Sequence, residues 1–143
     1  MKKPNPVVHF EMGYNDKERM CAFYETVFGW KTNKMGPEMG NYVTAQTTET
    51  DENRMVKTPG TINGGFYKKE GPLSQAPSIV IAVDDIGASM KAVEAAGGKI
   101  LGAMGQDGQR HMEPQEIPGV GLWISVMDTE DNRFSILQPK KMQ

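Results

Sequence analysis

Two side chains capable of acid–base work sit close together near the start of the chain. His9 and Glu11 are alternate residues in VVHFEM, so any extended segment puts an imidazole and a carboxylate on one face. A carboxylate can orient an imidazole and raise its pKa, which makes His9 and Glu11 the candidate catalytic residues. Three readings of His9 stay open: a hydrogen-bonding contact for a substrate, a pH-sensitive general base, or a polar residue merely satisfied on a sheet. His111, Glu113 and Glu116 lie on a second segment, GQDGQRHMEPQEIPG at residues 105–119, which has few helix or strand signals. Folded over His9 and Glu11, that segment would complete a set of two histidines and a carboxylate for a divalent metal. The plainer reading is that its polar residues are solvated. The single Cys21 falls among apolar neighbours in a helical pattern and reads as a buried structural thiol. Phosphate-binding loops, dinucleotide fingerprints, nucleophile elbows and HExxH patterns do not occur.

The elements that must position these residues are written twice. Laying Phe10 on Ile79 brings Met12 onto Ile81, Tyr14 onto Val83, Asp16 onto Asp85, Tyr24 onto Val93, Val27 onto Ala96 and Gly29 onto Gly98, all with one offset. Each copy reads as an alternating strand, an acidic helix start, a helix of about three turns, a closing glycine and further strands. In the first copy Val8, Phe10 and Met12 form the apolar face of the strand, and Met20, Phe23, Tyr24 and Val27 form the helix stripe. Strands follow over residues 30–35, 42–47 and 61–69, with a polar, turn-rich loop at 48–59 expected to be mobile. The two glycines in TINGGFYKK suggest close approach of a ligand or another backbone. In the second copy a strand at 78–83 leads to a helix at 86–96 with Ala92, Val93 and Ala96 facing inward, then strands at 99–104, 120–127 and 133–138. The order is βαβββ twice, an α+β domain with module 1 at about 6–69, a linker at 70–76 and module 2 at about 77–139. Helices over one face leave the other to curl into a cup, the kind of concavity that takes small ligands.

Length and composition set limits. A chain of 143 residues fits a single compact domain with a sizeable core. Its formal charge of −2, with no basic cluster longer than Lys140–Lys141, speaks against nucleic acid and anionic membrane as partners. One cysteine excludes an intrachain disulfide framework, and no apolar run approaches the length that spans a bilayer, so a cytoplasmic protein is expected.

The opening strand with FYETVFGW at residues 23–30, SIVIAVDD with its helix ending AAGGKI, and IPGVGLWISVMDTEDNRFSILQP at 117–139 resemble the vicinal oxygen chelate superfamily, the glyoxalase, bleomycin-resistance and extradiol-dioxygenase group. The resemblance covers both modules and implies a curved sheet of paired βαβββ units around a ligand cup. It names no reaction, because that scaffold carries lyases, epimerases, dioxygenases and non-catalytic drug-binding proteins. It also implies four metal-ligand positions, and these fall at His9, near Asn63, at Ser78 and at Ser135. Only His9 is a strong donor, since hydroxyls and an amide are weak substitutes for imidazole or carboxylate. The chain therefore resembles a glyoxalase-like branch with depleted ligands, and the expectation is a small-molecule-binding protein without a metal or other cofactor. A metal-dependent lyase or dioxygenase with a site rebuilt around His9, Glu11 and His111 is the alternative. Asn63, Ser78 and Ser135 are then ligand-binding candidates, with Trp30 and Trp123 as aromatic walls alongside Tyr42, Phe66 and Tyr67. Modules of this fold often pair across an edge, which implies a homodimer.

Overall fold

The computed structural model describes residues 3–71 and 76–141, so most of the expected linker, residues 72–75, lies outside the described residues. The chain divides into two compact units, residues 9–78 and residues 1–8 with 79–143. Each is built on a strand, a helix and further strands.

The first unit holds β1 (Val7–Tyr14, from His9 onward), α1 (Lys17–Phe28), β2 (Lys31–Lys34), a 3-10 turn at Pro37–Met39, β3 (Val43–Gln46) and β4 (Asn63–Lys68). Its strands lie in the order β2-β3-β4-β1. β4 runs antiparallel to β3 and parallel to β1, with His9 beside Asn63 and Glu11 beside Gly65. Asp16 caps α1 by accepting the Arg19 N–H, and Gly29 ends the helix in the left-handed conformation. The core is Tyr14, Cys21, Val43, Ala45 and Phe66, with Phe10, Met12, Met20, Tyr24 and Trp30 packed against it. The expected helix stripe is rotated. Met20, Cys21 and Tyr24 face the sheet, whereas Phe23 and Val27 are each 55% exposed. A four-stranded sheet covers only a narrow band of a twelve-residue helix, and Cys21 occupies its centre.

The second unit holds β5 (Ser78–Ala82, from Ile79 onward), α2 (Ile86–Ala95), β6 (Lys99–Met104), β7 (Arg110–His111), β8 (Gln115–Ile117), β9 (Gly121–Met127) and β10 (Arg133–Pro139). The order is β5-β10-β9-β6-β7, with β8 also on β9. Asp85 caps α2 as Asp16 caps α1, so the sequence repeat is obeyed at both helix starts. It fails at the ends: α2 closes on Ala96, and Gly97, not Gly98, takes the positive φ. The core is Val83, Ile86, Ala103, Ile124, Val126 and Ile136. Met90 and Val93 pack on it from α2, but Ala92 and Ala96 are exposed, because a ten-residue helix turns only one narrow stripe inward.

The segment at residues 105–119 is not structureless. β7 pairs with β6 at Ala103–His111, and β8 pairs with β9 at Gln115–Trp123, so two short strands interrupt the simple βαβββ order. Edge pairing of this sort is set by neighbouring backbone and leaves little mark on side-chain periodicity. The loop expected to be mobile is likewise ordered locally, with Thr50 bridged to Val56 and Asp51 accepting the N–H groups of Asn53 and Met55. No helix among the described residues is long and apolar enough to cross a membrane.

Candidate functional site

On the first unit's sheet Phe10, Met12, Val43, Ala45 and Phe66 point toward α1, so alternation sends His9, Glu11, Tyr42, Gly65 and Tyr67 to the other face. There three of them form a chain. The Tyr42 hydroxyl donates to Glu11 Oε2 at 3.1 Å and lies 3.0 Å from His9 Nε2.

This contact crosses three strands, and a glycine makes it possible. β4 lies between β3, which Tyr42 immediately precedes, and β1, which carries His9 and Glu11. Residue 65 of β4 is directly under the phenol, and a Cβ there would overlap the ring and hydroxyl of Tyr42. With hydrogen alone at Gly65, the ring lies across β4 and its hydroxyl reaches β1. On the opposite face the Phe10 ring covers Gly64 in the same manner. The close approach expected at the NGG glycines is therefore made by the protein's own rings.

The electrostatics are those of a secluded cluster. Glu11 is only 8% exposed. Burial lowers the pKa of His9, which favours the neutral imidazole. Tyr42 is pushed well above its ordinary value, first by burial, then by the nearby Glu11 charge, its hydrogen bond to Glu11, and Tyr67. The phenol therefore stays protonated at neutral pH and serves as a donor and acceptor.

Asn63, beside His9, has its side-chain oxygen committed to the backbone N–H groups of Thr47 (2.7 Å) and Thr48 (3.0 Å). It pins the start of the 47–62 loop. Trp30 stands on the helix side, stacked on Tyr24 at 4.7 Å between ring centres and 5.5 Å from Phe10, so it is part of the core rather than of the His9 face. Ser78 is buried, and its hydroxyl oxygen is sealed from solvent without a hydrogen-bond partner among the described residues.

In the second unit Ser135 is fully buried opposite Ser125, and its hydroxyl too lacks a partner among the described residues. Ser125 donates to the Phe134 carbonyl at 3.3 Å and accepts from Arg133 Nε at 3.1 Å. Trp123 pairs with Leu137 and is packed against the core of that unit. His111 Nε2 sits 3.0 and 2.9 Å from the two carboxylate oxygens of Asp107. Among the described residues no three of His, Cys, Asp and Glu come together as a metal-binding group.

The structure thus unites His9 and Glu11, as their spacing implies, and adds Tyr42 as the link. Sequence reasoning placed Tyr42 only as an aromatic wall. The signal lay in the pairing of a tyrosine just before one strand with a glycine on the next, which becomes readable only once the register is known.

Among solved structures, methylmalonyl-CoA epimerase of Streptomyces coelicolor, in complex with 2-nitronate-propionyl-CoA, aligns over 94% of this chain and 97% of that one, with TM-score 0.64 and 11% identity. Hypothetical protein BH1468 from Bacillus halodurans aligns over 99% of both chains, with TM-score 0.62 and 14% identity. At these identities the likeness is one of fold. Of the curated relatives, "Putative glyoxylase CFP32" of Mycobacterium tuberculosis is 30% identical over 126 residues, 85% of this chain and 40% of the relative. "Anthracycline biosynthesis protein DnrV" of Streptomyces peucetius is 24% identical over 149 residues, 98% of this chain and 49% of the relative. The chain therefore spans less than half the length of either. Residues 7–134 match the family model for the Glyoxalase/Bleomycin resistance protein/Dioxygenase superfamily, and the chain belongs to that superfamily.

Proposed function

We propose that the protein binds a small organic molecule on the His9 face of its first module, without a catalytic metal. The observation that carries this reading is the Tyr42 hydroxyl, which engages His9 Nε2 and Glu11 Oε2 together. The remaining family positions offer two alcohols and an amide whose oxygen already holds two backbone N–H groups. That donor set does not fit zinc, nickel or iron(II). A secluded cluster of imidazole, phenol and carboxylate fits instead the few oriented polar groups that fix a ligand in an otherwise apolar site. The names of the relatives, a glyoxylase and an anthracycline biosynthesis protein, agree with a small organic ligand. A site rebuilt around His9, Glu11 and His111 has less support, because His111 is already engaged by Asp107.

Metal analysis of protein purified from cells supplied with nickel, zinc, manganese and iron tests the reading. The expected result is far less than one metal per chain. Stoichiometric metal that disappears in His9→Ala would overturn it.

A further inference from the structure

The second unit has a concavity of its own, on the face of its sheet that Ser125 and Ser135 do not occupy. Leu122 of β9 stands in register with Glu116 of β8 on one side and with Gln138 of β10 on the other, so these side chains form one row across three strands. Alternation puts the row on the same face as Ile124 and Ile136, which is the α2 side. Gln138 is fixed there, because its side-chain oxygen accepts the N–H of Ile86, the first residue of α2, at 3.0 Å. Its NH2 group finds no acceptor among the described residues and remains a donor. The strands stay paired up to the row's end because position 121 is glycine: it has a positive φ, and a Cβ there would overlap the Gln138 carbonyl.

A cavity of about 510 Å³ lies over this row and is bordered as well by Asp84, Lys140 and Lys141. That is room for a small ligand. Asp84 and Glu116 bring negative charge to it, Lys140 and Lys141 positive charge, and all four are exposed. None of them forms an ion pair or a side-chain hydrogen bond with another described residue. Opposite charges that border one hollow without meeting can be bridged by a molecule that carries both signs. We propose that this cavity binds a small zwitterion, with an ammonium group at Asp84 and Glu116 and a carboxylate at Lys140, Lys141 and the Gln138 NH2 group, the chemistry of a free amino acid or dipeptide. A plain anion gains the lysines but meets the two carboxylates, and a plain cation does the reverse, so the mixed border selects for the doubly charged ligand. The site shares no residue with the His9 face, and its occupation is independent of the function proposed there.

Three probes test this: glycylglycine, its N-acetyl form, which lacks the ammonium, and its C-terminal amide, which lacks the carboxylate. Each is titrated at low salt, where exposed charges are least screened, while NMR follows the Leu122 methyl groups and the Gln138 side-chain NH2. Glycylglycine is expected to shift both signals saturably, and each capped form to bind about fivefold more weakly, the upper range for one exposed ion pair. Asp84→Asn with Glu116→Gln should erase only the preference over the acetylated form. Lys140→Gln with Lys141→Gln should erase only the preference over the amide. All four positions are exposed, so the fold is expected to tolerate these changes. Absence of a saturable shift, equal or tighter binding of a capped form, or preferences that survive both double variants would each overturn the proposal. Shifts confined to His9 and Tyr42 would overturn it too, while leaving the small-molecule reading of the His9 face in place.

Discussion

At the scale of single residues, the cluster depends on a side chain that is absent. A methyl group at position 65 would occupy the space of the Tyr42 phenol. Gly65→Ala is therefore expected to destabilise the protein by about 1–3 kcal/mol, as overpacking does, and to break the contacts to His9 and Glu11. Urea unfolding measures the first effect and the His9 NMR signals the second; an unchanged midpoint would show that the ring is free to move aside. The state of His9 carries a pH signature. Its folded pKa lies below that of the unfolded chain because burial penalises the charged ring. The unfolded state accordingly takes up the proton first as pH falls from about 6.5, the ordinary histidine value. Stability is expected to decline from there down to the folded pKa and to be insensitive to His9 above about 6.5. Comparing denaturation midpoints of the native protein and His9→Gln between pH 5 and 8 checks this, with the variant losing less on acidification.

At the scale of elements, the repeat holds where a side chain dictates the backbone and loosens where packing does. Asp16 and Asp85 each accept an N–H three residues on, at 3.1 and 3.0 Å, and both helices begin there. Replacing either aspartate with alanine should cost about 1 kcal/mol, read as a lowered thermal midpoint. Helix rotation follows a different logic. Met20, Phe23, Tyr24 and Val27 have the right spacing for an inward stripe, yet only Met20 and Tyr24 face the core, with Cys21 beside them and with Trp30 and Phe66 against Tyr24, while Phe23 and Val27 stay exposed. Asn63 holds a loop in place. Asn63→Ala removes the acceptor for the Thr47 and Thr48 N–H groups, and faster amide exchange over residues 47–50 is the expected outcome.

At the scale of the molecule, each unit carries its own core, one centred on Phe66 and Val43, the other on Ile124 and Val126, all at most 1% exposed. Ile124→Ala should cost about 2–5 kcal/mol and Phe66→Ala about 3–5 kcal/mol in chemical denaturation, the range for emptied core positions. The doubled βαβ pattern, the capping aspartates and the adjacency of His9 and Glu11 were legible in the residues, because period-two strands, helix caps and same-face neighbours are local consequences of backbone geometry. The family followed from the same motifs and is borne out by the match over residues 7–134. The placing of Trp30 in the core, the two short strands within 105–119 and the bridge made by Tyr42 were not legible. Each depends on which strand lies beside which and in what register, and Tyr42 with Gly65 and Glu11 with Gly65 become neighbours only when β3, β4 and β1 assemble. Sequence alone determined the elements and the two polar side chains that share one face of β1; tertiary structure decided that a phenol joins them, since a hydrogen bond spanning three strands exists only where the middle strand leaves room for it.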